Sequence, residues 1–366
     1  MNGPEILHLI NSDLRRAVSR YGTPPTVQPI DVSPWLAMSL LQKAIRRDRE
    51  QLALRAAATL LRDAPDRLWR RLGCIAAEDV GIASIGTLGL ATAALAGKRY
   101  RAELGGEWAV ANCIVSELSR AIKCRAADDL LMSSELHPAC AKARAELPHL
   151  STRELIDITT GAGPTHERAL ALWYALGTDR RSSRLVSRRG EPTLVFNLLA
   201  EAGWPHSVVE IARDNYRRTC EKLAPLVALL SREPHDNAYV ENDDFPPEEM
   251  IGDLPSWAFD LYSREGRTCL ANFLQTDAPS AKWMCQCVRP SRRVAFYGHI
   301  VFRCEGGLVA KRMRWELADE LRRRVDLECS GPECSDATEI IELVRTDLPI
   351  LNSIRAETIR SFSHAK

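Results

Sequence analysis

The sequence predicts an all-α protein, because apolar residues recur at helical spacing and strand-like alternation is scarce. Leu36, Leu40 and Leu41 share one helical face, and Leu68 and Leu72 begin another. We expect a multi-helix orthogonal or bundle architecture. One short β-hairpin near residues 294–303 is the strand candidate, and that apolar run fits a helix equally well.

Helix boundaries are marked by capping residues and glycines. Ser151 with Glu154, and Ser207 with Glu210, have the spacing of capping boxes, in which side chain and backbone exchange hydrogen bonds. Gly81 follows an apolar stripe and is placed to end a helix. Gly177 and Gly203 are placed in the same way.

Composition limits the function classes. The 366 residues are 45% hydrophobic and 27% charged, and their formal net charge is +1. A charge this small gives no global field that attracts nucleic acid, so any such contact needs a local patch. We find no signal-peptide or bilayer-spanning pattern, and the 11 cysteines are scattered. We therefore expect a cytoplasmic protein with reduced thiols and no membrane contact.

The chain divides by composition into five segments. A helix and a Pro-rich stretch occupy 1–35, a helical module 36–150, and a further helical segment 151–230. An acidic, Pro-rich linker or loop covers 231–256. Residues 257–366 form a second helical part, in which we predict a basic helix with an apolar face running from Val309 to Val325.

Three blocks within residues 36–131 carry a resemblance to a known family. They are Ser39-Leu40-Leu41-Gln42-Lys43-Ala44-Ile45-Arg46, then Arg70-Arg71-Leu72 with Ile75-Ala76-Ala77-Glu78-Asp79-Val80-Gly81, and Lys123-Cys124-Arg125-Ala126. In order and separation they resemble the C-terminal helical domain of the RarA (MgsA) replication-associated ATPases. About two-thirds of the chain lies outside the resemblance.

The resemblance implies an association with DNA replication or repair, and it allows self-association through the RarA-like module. ATP hydrolysis does not carry over, because the sequence has no G-x-x-x-x-G-K-[ST] motif to cradle phosphates. We expect no cofactor. Within the second block, Asp79 falls on the inward stripe, and we interpret it as a structural partner of a helix start or of an arginine such as Arg70 or Arg71 rather than as a catalytic group.

The densest polar group of the second half begins after Trp257. Ser263 is placed to cap a helix, where Arg264 and Arg267 suit a phosphate and Gly266 lets a backbone come close. If a nucleic acid binds here, we expect Asp260 and Glu265 to be the catalytic carboxylates. We expect Trp257 and Tyr262 to stack on a base. The alternative is an ordinary capped helix with solvated arginines.

Arginines elsewhere predict two nucleic-acid surfaces. The first lies on and near the predicted basic helix and comprises Arg292, Arg293, Arg312, Arg322 and Arg323. The second is a predicted exposed loop with Arg180, Arg181, Arg184, Arg188 and Arg189, which suits a phosphate backbone. A solvated helix face with salt bridges is the alternative for the first surface.

Cysteines supply the atoms for a metal site, but their spacing does not suit one. Cys285, Cys287, His299 and Cys304 depart from the C-x₂₋₄-C pattern of zinc fingers, although Cys329 and Cys334 are able to add ligands. We expect buried thiols and no metal.

Three functions follow from these observations. The first is a DNA-associated helical protein of replication, repair or genome (anti-phage) defence. The second is a DNA base-processing enzyme of glycosylase type that uses Asp260. The third is an adaptor for a separate ATPase, so the sequence leaves open whether the protein is an enzyme.

Overall fold

The structure, a computed structural model, describes residues 3–180, 183–328 and 337–364. It is all-α, as the periodicity predicts. The α-helices are, in chain order, α1 (Gly3–Tyr21), α2 (Pro34–Arg46), α3 (Glu50–Asp63), α4 (Pro65–Ile75), α5 (Ile85–Ala94), α6 (Lys98–Glu103), α7 (Glu107–Arg120), α8 (Ala126–Leu136), α9 (Ala141–Glu146), α10 (Thr152–Thr160), α11 (Thr165–Leu176), α12 (Pro192–Glu201), α13 (His206–Thr219), α14 (Leu223–Leu230), α15 (Arg264–Phe273), α16 (Pro279–Cys287), α17 (Arg293–Val301), α18 (Glu316–Arg323) and α19 (Ala337–His364).

Two small antiparallel sheets complete the described structure. Strands β1 (Tyr239–Glu241) and β4 (Arg312–Arg314) form one, and β2 (Met250–Ile251) and β3 (Leu254–Pro255) form the other. Lys123 adds a single parallel bridge to Arg312.

The chain folds into two units, each assembled from separate stretches of sequence. Unit 1 comprises Met1–Pro25, Asp66–Glu241 and Lys311–Val325. Unit 2 comprises Thr26–Pro65, Asn242–Ala310 and Asp326–Lys366. The composition-based boundaries stay predictions, but the predicted helical module 36–150 contributes residues to both units, and the acidic segment contains the border at Glu241.

In unit 1, a buried arginine joins the second and third of the sequence blocks, 70–81 and 123–126. Arg125 donates to Asp79, to Glu78 at 3.1 Å and to Asp128, and its side chain and that of Asp79 are almost wholly buried. The Cys124 amide donates to the Asp79 carbonyl at 2.9 Å. Asp79 thus points inward and pairs with an arginine, as predicted, although the partner is Arg125 rather than Arg70 or Arg71.

Unit 2 holds a similar pair within its core. Glu305 lies in a π-helical turn, Phe302–Gly306, and its carboxylate accepts from Arg355 at 2.9 Å and from Ser256 at 3.0 Å. Asp79 lies in a π-helical turn as well, Ala76–Val80. In each unit, therefore, a locally widened helix carries a buried carboxylate to a buried guanidinium, which compensates the desolvation of both charges.

The predicted hairpin near residues 294–303 is wrong. Arg293–Val301 is helix α17, which continues into the π-helical turn. Tyr297, Ile300 and Val301 share its buried face, at helical spacing. Gly298 permits close packing, because a Cβ there would lie 2.9 Å from the Leu261 Cβ. Gly298 is thus a site of helix packing.

The predicted basic helix from Val309 is also wrong in its first half. Arg312–Arg314 is strand β4, and α18 begins only at Glu316. Lys311 has φ +53°, which interrupts a right-handed helix. Lys123 then exchanges backbone hydrogen bonds with Lys311 and Met313, so tertiary pairing overrides local helix preference.

One helical run in the described residues, Pro65–Ala94, is long and apolar enough to cross a membrane by length and composition alone. Most of that stretch is buried inside the protein, as in an ordinary core helix.

Candidate nucleic-acid interface

The candidate interface in unit 1 is the connection between α11 and α12, residues 177–191, which we call the arginine loop. Backbone hydrogen bonds close it at its base. The amides of Thr178 and Asp179 donate to the Arg188 carbonyl at 2.9 and 3.2 Å, and the Glu191 amide donates to Ala175 at 3.0 Å. The Thr178 hydroxyl donates to the Val186 carbonyl and accepts from the Arg188 amide. The described parts of the loop are therefore held by specific bonds.

Two glycines permit the crossing at the base of the loop. Gly177 has φ +98°, which L side chains rarely adopt. A Cβ on Gly190 would lie 2.1 Å from the carbonyl carbon of Leu176. The two backbones touch here, so a side chain at either position is incompatible with the closed loop.

One arginine of the loop anchors it rather than facing solvent. Arg188 is half-buried and donates to the carbonyls of Pro148, at 2.7 Å, and Leu150. Farther along, the amide of Arg184 donates to a carboxylate oxygen of Glu135 at 2.7 Å. These bonds tie the loop to the segments around α8 and α9 of the same unit.

The other described arginines of the loop face water. Arg180, Arg184 and Arg189 are exposed, and none of their guanidinium groups has a carboxylate partner among the residues that the structure describes. Arg181 lies outside the described residues. The loop sequence holds five arginines against two carboxylates, Asp179 and Glu191. The result is a local positive surface on a chain with almost no net charge.

We expect Gly190→Ala to open the arginine loop without unfolding unit 1, because the clash is local to the base of the loop. Limited trypsin digestion, which cleaves after arginine, checks this: cleavage within 177–191 should become faster than in the native chain. Gly163→Ala, where a Cβ meets nothing within 4 Å, is the matched control. Equal cleavage rates in both variants would contradict this account of the loop.

Most arginines of the other predicted surface are engaged within the protein. Arg312 is buried, and Arg293 donates to the carbonyls of Val288 and Cys285, both at 2.8 Å. Arg292, Arg322 and Arg323 each have an interaction within the protein. Arg292 and Arg293 belong to unit 2, whereas the others belong to unit 1. The sequence groups them, but these contacts leave them less available than the loop arginines.

Asp260 is committed to a buried ion pair in unit 2. Its carboxylate lies 2.6 Å from the Lys43 ammonium, and both side chains are almost fully buried. The Tyr262 amide at 3.0 Å and the Ser39 hydroxyl at 3.3 Å complete its partners. Burial lowers the pKa of Lys43 to about 8, and the Asp260 carboxylate opposes part of that shift. The short contact between the two buried groups commits Asp260 to this pair.

The remaining residues predicted around Asp260 differ in accessibility. Trp257 is buried and donates to Glu248 at 3.0 Å, whereas Tyr262 is 54% exposed and meets Phe302 edge-on. Glu265 accepts from Ser33 at 3.1 Å. Their predicted catalytic and stacking roles remain predictions.

The helix start next to these residues has the predicted local form. Ser263 caps α15 by accepting from the Gly266 amide at 3.0 Å. A Cβ on Gly266 would lie 2.0 Å from the Asp260 carbonyl oxygen, so a backbone does come close there. Arg267 is exposed and donates to the Leu261 carbonyl, and Arg264 has an interaction within the protein.

The thiols are divided between interior and surface. Cys304 is buried, which raises the pKa of its thiol to about 12, whereas Cys285 and Cys287 are exposed. Cys329 and Cys334 lie outside the described residues. Within the described part of the chain, no group of three His, Cys, Asp or Glu side chains is placed to hold a metal ion.

The sequence does not reveal the partner of Asp260. Lys43 lies within the first sequence block, and its pairing with Asp260 joins residues far apart in the chain. A lysine among apolar helix positions, between Leu41 and Ala44, was the available signal, because a buried lysine needs a carboxylate.

Comparison of the chain with protein-family models, with curated proteins and with solved structures gave no match.

Proposed function

We propose that this chain is a DNA-associated helical protein that holds the phosphate backbone through the arginine loop. The observation that carries the proposal is the set of exposed guanidinium groups of Arg180, Arg184 and Arg189, for which the described part of the chain provides no carboxylate partner. Guanidinium groups bind phosphate oxygens through paired, charge-assisted hydrogen bonds. An arginine without an internal partner loses no ion pair when it binds.

Order in the described parts of the loop favours binding. Because hydrogen bonds hold these parts, they lose less conformational entropy when they meet a polyanion. Because the whole chain carries a net charge of only +1, attraction to DNA depends on this local surface. The loop should therefore account for most of the salt-sensitive affinity.

We also propose a cellular location and role. We place the protein in the cytoplasm, in replication, repair or genome (anti-phage) defence, with self-association through the RarA-like module and no ATP hydrolysis by this chain. These assignments rest on the resemblance of the three sequence blocks and on the missing phosphate-binding motif. We propose no base-processing activity, because Asp260 is paired with Lys43 in the interior of unit 2.

The test is the affinity for a short DNA duplex, measured by fluorescence anisotropy across a salt series. We expect Arg180→Ala, Arg184→Ala and Arg189→Ala, combined, to weaken binding at least about tenfold and to reduce the salt slope by about 2–3, since each phosphate contact contributes about 0.9.

A matched control removes three exposed arginines that each have a carboxylate partner. These are Arg16, Arg99 and Arg345, paired with Asp13, Glu103 and Glu342. The control variant loses the same charge but should keep the native slope within about one unit. Equal losses in both variants would show that only net charge matters, and absence of binding by the native protein would refute the proposal.

A further inference from the structure

Resting on the proposed function, we infer that the arginine loop binds the phosphates of a DNA duplex, without regard to base sequence and in preference to a single strand. This names the substrate class of the same site.

The loop has no aromatic side chain on which a base stacks. Residues 177–191 contain no Phe, Trp, Tyr or His, and no Asn or Gln. Proteins that hold single strands combine a positive groove with aromatic side chains on which successive bases stack. The exposed side chains among the described loop residues are those of Asp179, Arg180, Arg184, Val186, Ser187, Arg189 and Glu191. Arginine and serine suit phosphate oxygens, which carry half or more of protein–DNA hydrogen bonds.

The backbone of the loop also argues against base reading. Direct readout in the major groove is typically made by a helix or a two-stranded ribbon that enters it. The described residues of the loop form neither, and Arg188 and the Arg184 amide tie the loop back to unit 1. Arginines on a tethered loop meet the outside of the duplex, where the phosphates lie.

Charge density favours the duplex over the single strand. A duplex presents one negative charge per about 1.7 Å of axis, and each contact contributes about 0.9 to its salt slope against about 0.7 for a single strand. Three exposed guanidinium groups thus release more counterions when they bind a duplex than when they bind a single strand.

The experiment is a competition for the native protein among two duplexes of unrelated sequence, one GC-rich and one AT-rich, and a mixed-sequence single strand of equal length. We expect the duplexes to agree within about twofold and to bind about fourfold more tightly than the single strand at about 0.1 M salt, because three contacts differ by about 0.2 each in salt slope. In the variant lacking Arg180, Arg184 and Arg189, the affinities for duplex and single strand should become nearly equal.

Two results would overturn the inference while leaving the proposed function in place. One is tighter binding of the single strand. The other is a preference of more than about tenfold for one duplex sequence. Failure to bind any of the three DNAs would instead overturn the proposed function itself.

Discussion

Replacing Arg125 with methionine is expected to lower the free energy of unfolding of unit 1 by about 3–5 kcal/mol. The guanidinium pairs with Glu78, Asp79 and Asp128, and the side chain of Asp79 has no exposed surface. Without Arg125, that carboxylate stays buried with its charge uncompensated, or takes up a proton at the expense of folding. Breaking a buried pair on one side is strongly destabilising for this reason.

The loss of unfolding free energy in unit 1 is measured by denaturant titration, monitored through hydrogen exchange of peptides from α4 and α8. Arg16→Met is the matched control, because Arg16 pairs with Asp13 at the surface and should contribute less than about 1 kcal/mol. Arg125→Lys should also destabilise, since one ammonium cannot span Asp79 and Asp128 as the two guanidinium nitrogens do. A loss no larger than that of Arg16→Met would contradict the structural role of Arg125.

The second large effect is expected at the Lys43–Asp260 pair in unit 2. Lys43→Met leaves a buried carboxylate and Asp260→Asn a buried ammonium, so each should lower the free energy of unfolding by about 3–5 kcal/mol. The double variant removes both charges and should be no less stable than either single variant, giving a coupling energy of several kcal/mol.

The matched control for this double-mutant cycle is the exposed pair Arg345–Glu342, whose coupling should be below about 1 kcal/mol. The cycle also tests the predicted catalytic role of Asp260. If Asp260→Asn kept full stability but abolished release of a base from DNA, the buried pair would not explain this residue, and the enzyme hypothesis would replace our account.

Local signals predicted local structure well. Gly81, with φ +53°, follows the π-helical turn that ends the α4 segment, and its Cβ position would lie 2.7 Å from the Cys124 carbonyl oxygen. Ser151 and Glu154 form the predicted capping box. These features depend on residues within one or two turns of each other, so the sequence contains them almost completely.

One local signal is wrong: no capping box forms at Ser207, because α13 begins at His206 after Pro205, and Glu210 pairs with Arg213 instead.

Features that depend on distant residues are predicted poorly. Strand β4 requires β1 and Lys123, neither of which is close in sequence. Tertiary contacts decide such cases, and no local pattern reports them.

The candidate interface shows the same limit. The sequence groups the loop arginines only by their proximity in the chain. It did not separate Arg188, which anchors the loop, from Arg184 and Arg189, which face solvent. In the other predicted surface, it includes Arg312, which is buried. Whether an arginine is available to a ligand depends on its contacts, which the residue type does not encode.

The most direct test of the central claim is hydrogen exchange of the native protein with and without a short DNA duplex. Our account predicts slower exchange in peptides that cover residues 177–191, where amides such as Thr178 and Arg188 hold the loop. Peptides of α18 should be unchanged. Protection of α18 or of the start of α15, with no change in the arginine loop, would contradict the account.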